Sequence, residues 1–154
     1  MNPTPAPAKT KIEGLIGAQA TNLVRNAIKA EHGRMNVIAA RLAESKRFSN
    51  GHVLGYPIKG ALAPVSDPTT AAIVSLLLAD DSYAWGTVRR CKNDKFVGLR
   101  FGQGSSAVEF ALGMPCAQAL WLYRAGRGSQ VSGAIMSDAA VKRLLKELSS
   151  AATR

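Results

Sequence analysis

The sequence predicts an α+β fold that is mainly helical, with about five helices and one three-stranded antiparallel meander near residues 83–112. Segments at both ends of the chain repeat apolar residues at helical spacing. In the middle, short segments rich in β-branched and aromatic residues are separated by polar turns. Apolar residues make up 47% of the chain and aromatic residues only 6%, which favours a core of Leu, Ile, Val and Ala built largely by helices.

Two helices are predicted in the first third of the chain. Apolar residues recur at i, i+3 and i+4 from residue 12 to residue 28, which is the pattern of one helix face. Gly33 is well placed to end this helix. The apolar pattern resumes over residues 35–43, so we expect a second helix after a tight bend.

A third helix is predicted after a loop. Residues 48–66 contain several Gly and Pro residues and are expected to form a long loop with at most a short strand. Asp67 then supplies an N-cap acceptor and Pro68 suits the first helical position. The following residues, 71–79, are apolar nearly all round, so this helix should be buried.

The predicted meander consists of strands at 83–90, 96–101 and 107–112. Alternate residues of its second and third strands are apolar and should pack on the helices: Val97, Leu99, Phe101, Val108, Phe110 and Leu112.

The last third predicts two more helices with a mobile connection. Pro115 is expected to open a helix over 116–124, and the Gly-rich segment 124–133 to be mobile. Ser137 is the expected N-cap of the final helix. That helix carries one apolar stripe, formed by Val141, Leu144, Leu145 and Leu148.

The expected domain organisation is a flexible, Pro-containing basic arm over residues 1–11, followed by a single α+β domain over 12–154. The N-terminal residues contain no apolar signal-peptide region, and no apolar stretch approaches the ~20 residues that span a bilayer. Two cysteines are too few for a disulfide framework and match no zinc-site spacing. We therefore expect a cytoplasmic protein with no membrane partner.

The charge of the chain points to a polyanionic partner. Lys and Arg number 20 and Asp and Glu 10, so the formal net charge is +10. Such a charge raises the local concentration of phosphate polymers, although it carries no information about the fold. Neither Gly-rich segment has the spacing of a nucleotide-binding P-loop.

The strongest candidate binding element is the predicted β-hairpin between residues 83 and 101. Arginine and lysine side chains alternate there with aromatic residues, as expected of a ribbon that grips phosphates and stacks bases. In the alternative interpretation, the rings pack inward and the charges keep a sheet edge soluble. The candidate nucleic-acid-binding residues are Arg89, Arg90, Lys92, Lys95 and Arg100, with Arg124, Arg127, Lys46 and Arg47 in other basic segments.

Other candidate sites are weaker. Residues 35–54 fit a helix-turn-helix poorly, because Gly51 would interrupt its recognition helix. Cys116 at a predicted helix start could be a thiolate nucleophile, but a buried core cysteine is the simpler interpretation. His32, His52 and the pair Asp80–Asp81 form no metal-binding or acid/base constellation. No cofactor, metal or catalytic residue is expected.

The sequence therefore predicts a non-enzymatic protein that binds DNA or RNA, of the kind used as an accessory factor by a phage, a plasmid or another compact genome. The alternative is a self-assembling structural protein, similar to a coat or shell protein, whose basic face and N-terminal arm contact nucleic acid. In that case the chain also binds copies of itself as a homo-oligomer and is located in a virion.

Overall fold

The computed structural model describes residues 9–26, 36–42, 52–53, 56–103, 106–126 and 128–152. Within these ranges the chain forms four α-helices, one short 3-10 helix at Asp80–Ser82 and a seven-stranded antiparallel sheet. The helices are α1 (Lys11–Ile16), α2 (Ala18–Asn26), α3 (Asp67–Leu77) and α4 (Asp138–Ala152). The strands are β1 (Asn36–Leu42), β2 (His52–Val53), β3 (Tyr56–Pro64), β4 (Lys95–Gln103), β5 (Ser106–Met114), β6 (Gln118–Ala125) and β7 (Gly128–Ile135).

The prediction of a mainly helical fold with a three-stranded meander is wrong. The strands lie in the order β2-β3-β1-β4-β5-β6-β7, and the segment predicted as the second helix, 35–43, contains strand β1. Strand β1 pairs with β4 along its whole length and with β3 on its other side. Its β-branched residues Val37 and Ile38 suit either structure, and long-range pairing decides in favour of the strand.

Two of the three strands predicted for the meander are confirmed, and the first is wrong. Strands β4 and β5 contain the predicted segments 96–101 and 107–112. Of the predicted first strand, 83–90, Tyr83 forms an isolated bridge with Met136. The predicted helix over 116–124 and the predicted mobile segment 124–133 are strands β6 and β7.

Three of the five predicted helices are present in the structure. The helix predicted from residue 12 is divided into α1 and α2 at Gly17, whose φ of 91° is a left-handed value that favours glycine. The N-cap of helix α3 is Ser66 and not Asp67, so the helix begins one residue earlier than predicted. Helix α4 begins as predicted, because the Ser137 hydroxyl accepts a hydrogen bond from the Ala140 amide at 3.2 Å.

The helices cover one face of the sheet, which we call the core face. Leu99, Phe110 and Trp121 lie in register on β4, β5 and β6 and are all buried there. The Phe110 and Trp121 rings meet edge to face with centroids 4.8 Å apart. Each helix adds buried apolar side chains to this cluster, among them Ile12, Val24, Ile73 and Leu144. Full burial of each such side chain stabilises the fold by about 1.5–3 kcal/mol.

The sheet curls at its β2 end. Residues of β2 come within 8 Å, between Cα atoms, of residues in β4 and β5. In a flat sheet, three strand spacings of about 4.8 Å would hold β2 roughly 14 Å from β4. The strands β3 and β1 must therefore bend to bring β2 over the middle of the sheet. In the part of the chain described, no helix is long and apolar enough to cross a bilayer.

Candidate nucleic-acid interface

A disulfide bond fixes an exposed basic segment to the body of the protein. Cys91 and Cys116 are joined by an S–S bond of 2.03 Å, so neither is a free thiol. Cys116 lies in the turn between β5 and β6 and not at a helix start. The interpretation as a nucleophile is wrong, whereas the interpretation as a buried cysteine is right about its burial and wrong only about a free thiol. The exposed segment that contains Cys91, residues 86–94, is here called the anchored loop.

Asn93 makes a second attachment between the anchored loop and the β5–β6 turn. Its side-chain amide donates to Oε1 of Gln118 at 3.0 Å, and its Oδ1 accepts from the backbone N–H of Cys116 at 3.1 Å. The N–H of Asp94 also donates to the carbonyl of Met114 at 2.8 Å. The anchored loop is therefore held in one place although it belongs to neither a helix nor a strand.

Three cations stand free on or beside the anchored loop. Arg90, Lys92 and Lys95 are exposed, and none of their side chains has a hydrogen bond or ion pair with any residue that the structure describes. Val88, on the same loop, has 90% of its surface exposed. Because no acid of the described ranges lies at contact distance from their side chains, these cations project a positive potential into solvent.

Arg89 differs from its neighbours because it attaches the anchored loop to helix α4. Its guanidinium donates to the carbonyl of Cys116 at 3.2 Å and lies 3.9 Å from the Asp138 carboxylate. Lys142 and Lys146 follow Asp138 at successive turns of α4, about 6 Å apart along the axis, and are exposed. Arg89 thus places the anchored loop beside the first turn of α4, and we call the loop together with Lys142 and Lys146 the basic surface.

Arg100 and Arg124 lie elsewhere, on the sheet face opposite the core face, where both contact Glu109. Arg100 is the register partner of Glu109 on β4, and the two side chains are 3.8 Å apart. Arg124 reaches the same carboxylate diagonally from β6 at 3.5 Å. Only 2% of the Glu109 side chain is exposed, and a buried carboxylate requires such partners. The two arginines thus stabilise the sheet, and a binding role for them stays a prediction.

Three of the four aromatic residues of the predicted hairpin pack against the body of the protein, and the fourth, Phe96, is half-buried on the sheet face opposite the core face. Tyr83 and Phe101 are buried. The Tyr83 hydroxyl donates to the carbonyl of Leu77 at 2.6 Å, and burial raises the pKa of this phenol. The Trp85 indole donates to the Asp80 carbonyl at 2.8 Å. These rings face inward, as the alternative interpretation of the hairpin proposed.

Some predicted residues lie outside the described part of the chain: Lys46, Arg47, Arg127 and His32. The helix-turn-helix is wrong, because its first helix would coincide with strand β1. Asp80 has a structural role, since its carboxylate accepts the N–H groups of Lys11 and Ile12 at 3.0 Å each. These bonds lower the pKa of Asp80. Among the residues described, no cluster of three or more His, Cys, Asp or Glu could hold a metal ion.

Sequence reasoning missed the disulfide and the attachment through Asn93. The 25-residue separation of the two cysteines gave no signal, because contact between them depends on the β5–β6 turn. Comparison with protein-family models, with curated proteins and with solved structures finds no match for this chain. A functional assignment therefore rests on the chemistry of the basic surface.

Proposed function

We propose that this protein is a non-enzymatic nucleic-acid-binding protein that grips phosphates with its anchored loop. The proposal rests on two features of the anchored loop together: its cations are free, and the loop is firmly attached to the body of the protein. Arg90, Lys92 and Lys95 lack ion-pair partners among the described residues, while the loop is fastened by a disulfide and by Asn93. The net charge of +10 adds long-range attraction for any polyanion.

The attachment of the anchored loop favours binding. A flexible loop loses conformational entropy when it is immobilised on a ligand, and a loop that is already held loses less. The buried rings leave phosphate contacts as the main source of affinity, so we expect binding to DNA and RNA with little dependence on base sequence. The basic side of α4, with Lys142 and Lys146, extends the surface.

The disulfide also bears on where the protein acts. Disulfides form and persist in oxidising environments, which include the extracellular space, the bacterial periplasm and virion surfaces. The cytoplasmic location expected from the sequence depended on free cysteines. We propose instead that the functional form is the oxidised protein, present in one of these environments.

The test is a salt series with duplex and single-stranded oligonucleotides. Each phosphate contact on duplex DNA contributes about 0.9 to the slope of log affinity against log salt. The triple variant Arg90→Gln, Lys92→Gln, Lys95→Gln should bind more weakly at low salt and lose about 2 to 3 units of slope. Its fold should survive, because exposed charges contribute little to stability.

A matched control removes three exposed cations that lie outside both the anchored loop and helix α4: Lys9→Gln, Lys11→Gln, Arg25→Gln. It changes the net charge equally and should leave most of the slope in place. Equal losses in both triple variants would show that total charge and not the loop drives binding. Absence of salt-dependent binding by the wild-type protein would overturn the proposal.

A further inference from the structure

Strand β7 is an edge of the sheet, and no residue that the structure describes pairs with its outer side between Ser129 and Gly133. In an antiparallel strand, the N–H and C=O groups of one residue point to the same side of the strand, and those of the next residue point to the opposite side. The Met136 N–H reaches toward β6, to the carbonyl of Ala117, whereas the carbonyl of Ile135 accepts from Ala84 on the other side. The same alternation directs the N–H and C=O groups of Ser129, Val131 and Gly133 outward. None of these six groups has a hydrogen-bond partner among the described residues.

This edge lacks the features that usually prevent pairing with another chain. Natural edges are protected by charges, prolines, bulges or short length. Strand β7 is eight residues long, Gly-Ser-Gln-Val-Ser-Gly-Ala-Ile, and contains no charge and no proline. At the other end of the sheet, β2 has two residues, and the adjacent β3 contains Pro57, Lys59 and Pro64. The contrast makes β7 the open edge.

Val131 marks the centre of this open edge. Its side chain is 66% exposed and lies on the face opposite the core face, next to Leu122 in register. Helix α1 lies over β7 on the core face, where the Ser132 hydroxyl donates to the carbonyl of Leu15 at 2.9 Å. The helix therefore leaves the backbone edge itself uncovered.

We propose that the partner of this edge is a second copy of the same chain, joined through antiparallel β7–β7 pairing about a two-fold axis at Val131. With Val131 opposite its counterpart, Ser129 lies opposite Gly133 of the other copy, and each pair can exchange two backbone hydrogen bonds. All six outward groups of each copy are then satisfied.

Charge and symmetry favour a second copy of the chain as the partner of β7. Two copies that each carry +10 repel one another, so self-association requires an uncharged contact, and β7 provides one. The exposed Val131 side chains meet across the axis at about 5 Å between Cβ atoms and bury each other. The contact uses the same patch on both copies, so it closes as a dimer.

The test measures mass by sedimentation equilibrium on the full chain, at high salt and without nucleic acid, so its outcome is independent of the proposed function. The wild-type protein should reach twice the mass of one chain at about 100 μM. Val131→Lys places like charges opposite each other across the axis and should weaken the dimer at least about tenfold. Gln130→Lys adds the same charge on the other face, opposite Ser132 of the second copy, and should leave the dimer intact.

A backbone variant gives an independent readout. Val131→Pro removes one outward N–H that has no described partner within the chain, so the fold should persist while the dimer is lost. In the wild-type protein, hydrogen exchange at Ser129, Val131 and Gly133 should slow as protein concentration rises. A wild-type monomer at about 100 μM would overturn the proposal, as would a dimer that survives both Val131 variants. If both variants unfold, exchange at these amides that is independent of concentration would overturn it.

Discussion

The side chain of Asn93 occupies the space directly beside Gly113. A Cβ atom built at Gly113 would lie 2.6 Å from both Cγ and Nδ2 of Asn93, closer than real contacts allow. The absence of a side chain at residue 113 is what lets Asn93 reach Gln118 and the backbone of Cys116. A glycine in the sheet thus permits the contacts that hold the anchored loop in place.

This contact predicts that Gly113→Ala displaces Asn93 and loosens the anchored loop. We expect the substitution to lower the free energy of unfolding by about 1–3 kcal/mol, because the added methyl group overpacks the site and the displaced Asn93 amide loses its hydrogen bonds. Thermal denaturation measures the stability. Gly102→Ala is the matched control, since a Cβ there meets no atom within 4 Å, and it should leave the melting temperature nearly unchanged. Equal melting temperatures for the two variants would contradict the prediction.

A second prediction concerns Asp80 and pH. Hydrogen bonds from the Lys11 and Ile12 amides lower the pKa of Asp80 in the folded state below its ordinary value of 3.8. A depressed folded-state pKa means that this contribution to stability is present above the unfolded pKa and is lost as the pH falls through the folded-state value. Asp80→Asn should therefore lower the melting temperature at neutral pH and reduce the acid dependence below about pH 4. Asp81→Asn, one residue away and exposed, should do neither.

A third prediction separates attachment of the anchored loop from its charge. Closing a loop across the 25-residue separation of Cys91 and Cys116 stabilises the fold by about 3.5 kcal/mol in the chain-entropy model. Reduction should remove this stability and weaken nucleic-acid binding, because the loop must then be ordered on binding. The salt slope should hardly change, since the same cations still meet phosphate. Unchanged affinity in the folded, reduced protein would show that the attachment does not contribute to binding.

The sequence by itself identified the elements that depend on local pattern. Helix α4 could be predicted from its apolar stripe and from Ser137, and strands β4 and β5 from the alternation of apolar residues at Val97–Phe101 and Val108–Leu112. Charge selected Arg90, Lys92 and Lys95 as candidates together with six other basic residues, and it did not distinguish them from Arg100 and Arg124, which contact Glu109. The helix and both strands are expressed within a few consecutive residues, where spacing and side-chain chemistry are sufficient.

Tertiary structure decided the features that depend on partners distant in the sequence. Strand β1 is extended because β3 and β4 flank it, and β6 because Trp121 lies in register with Phe110. The loop that carries the cations is held in place because Cys91 is bonded to Cys116 and Asn93 packs beside Gly113. Backbone pairing, disulfide formation and close packing each require two segments to meet in space. Local propensity, worth less than about 1 kcal/mol per residue, does not specify which segments meet.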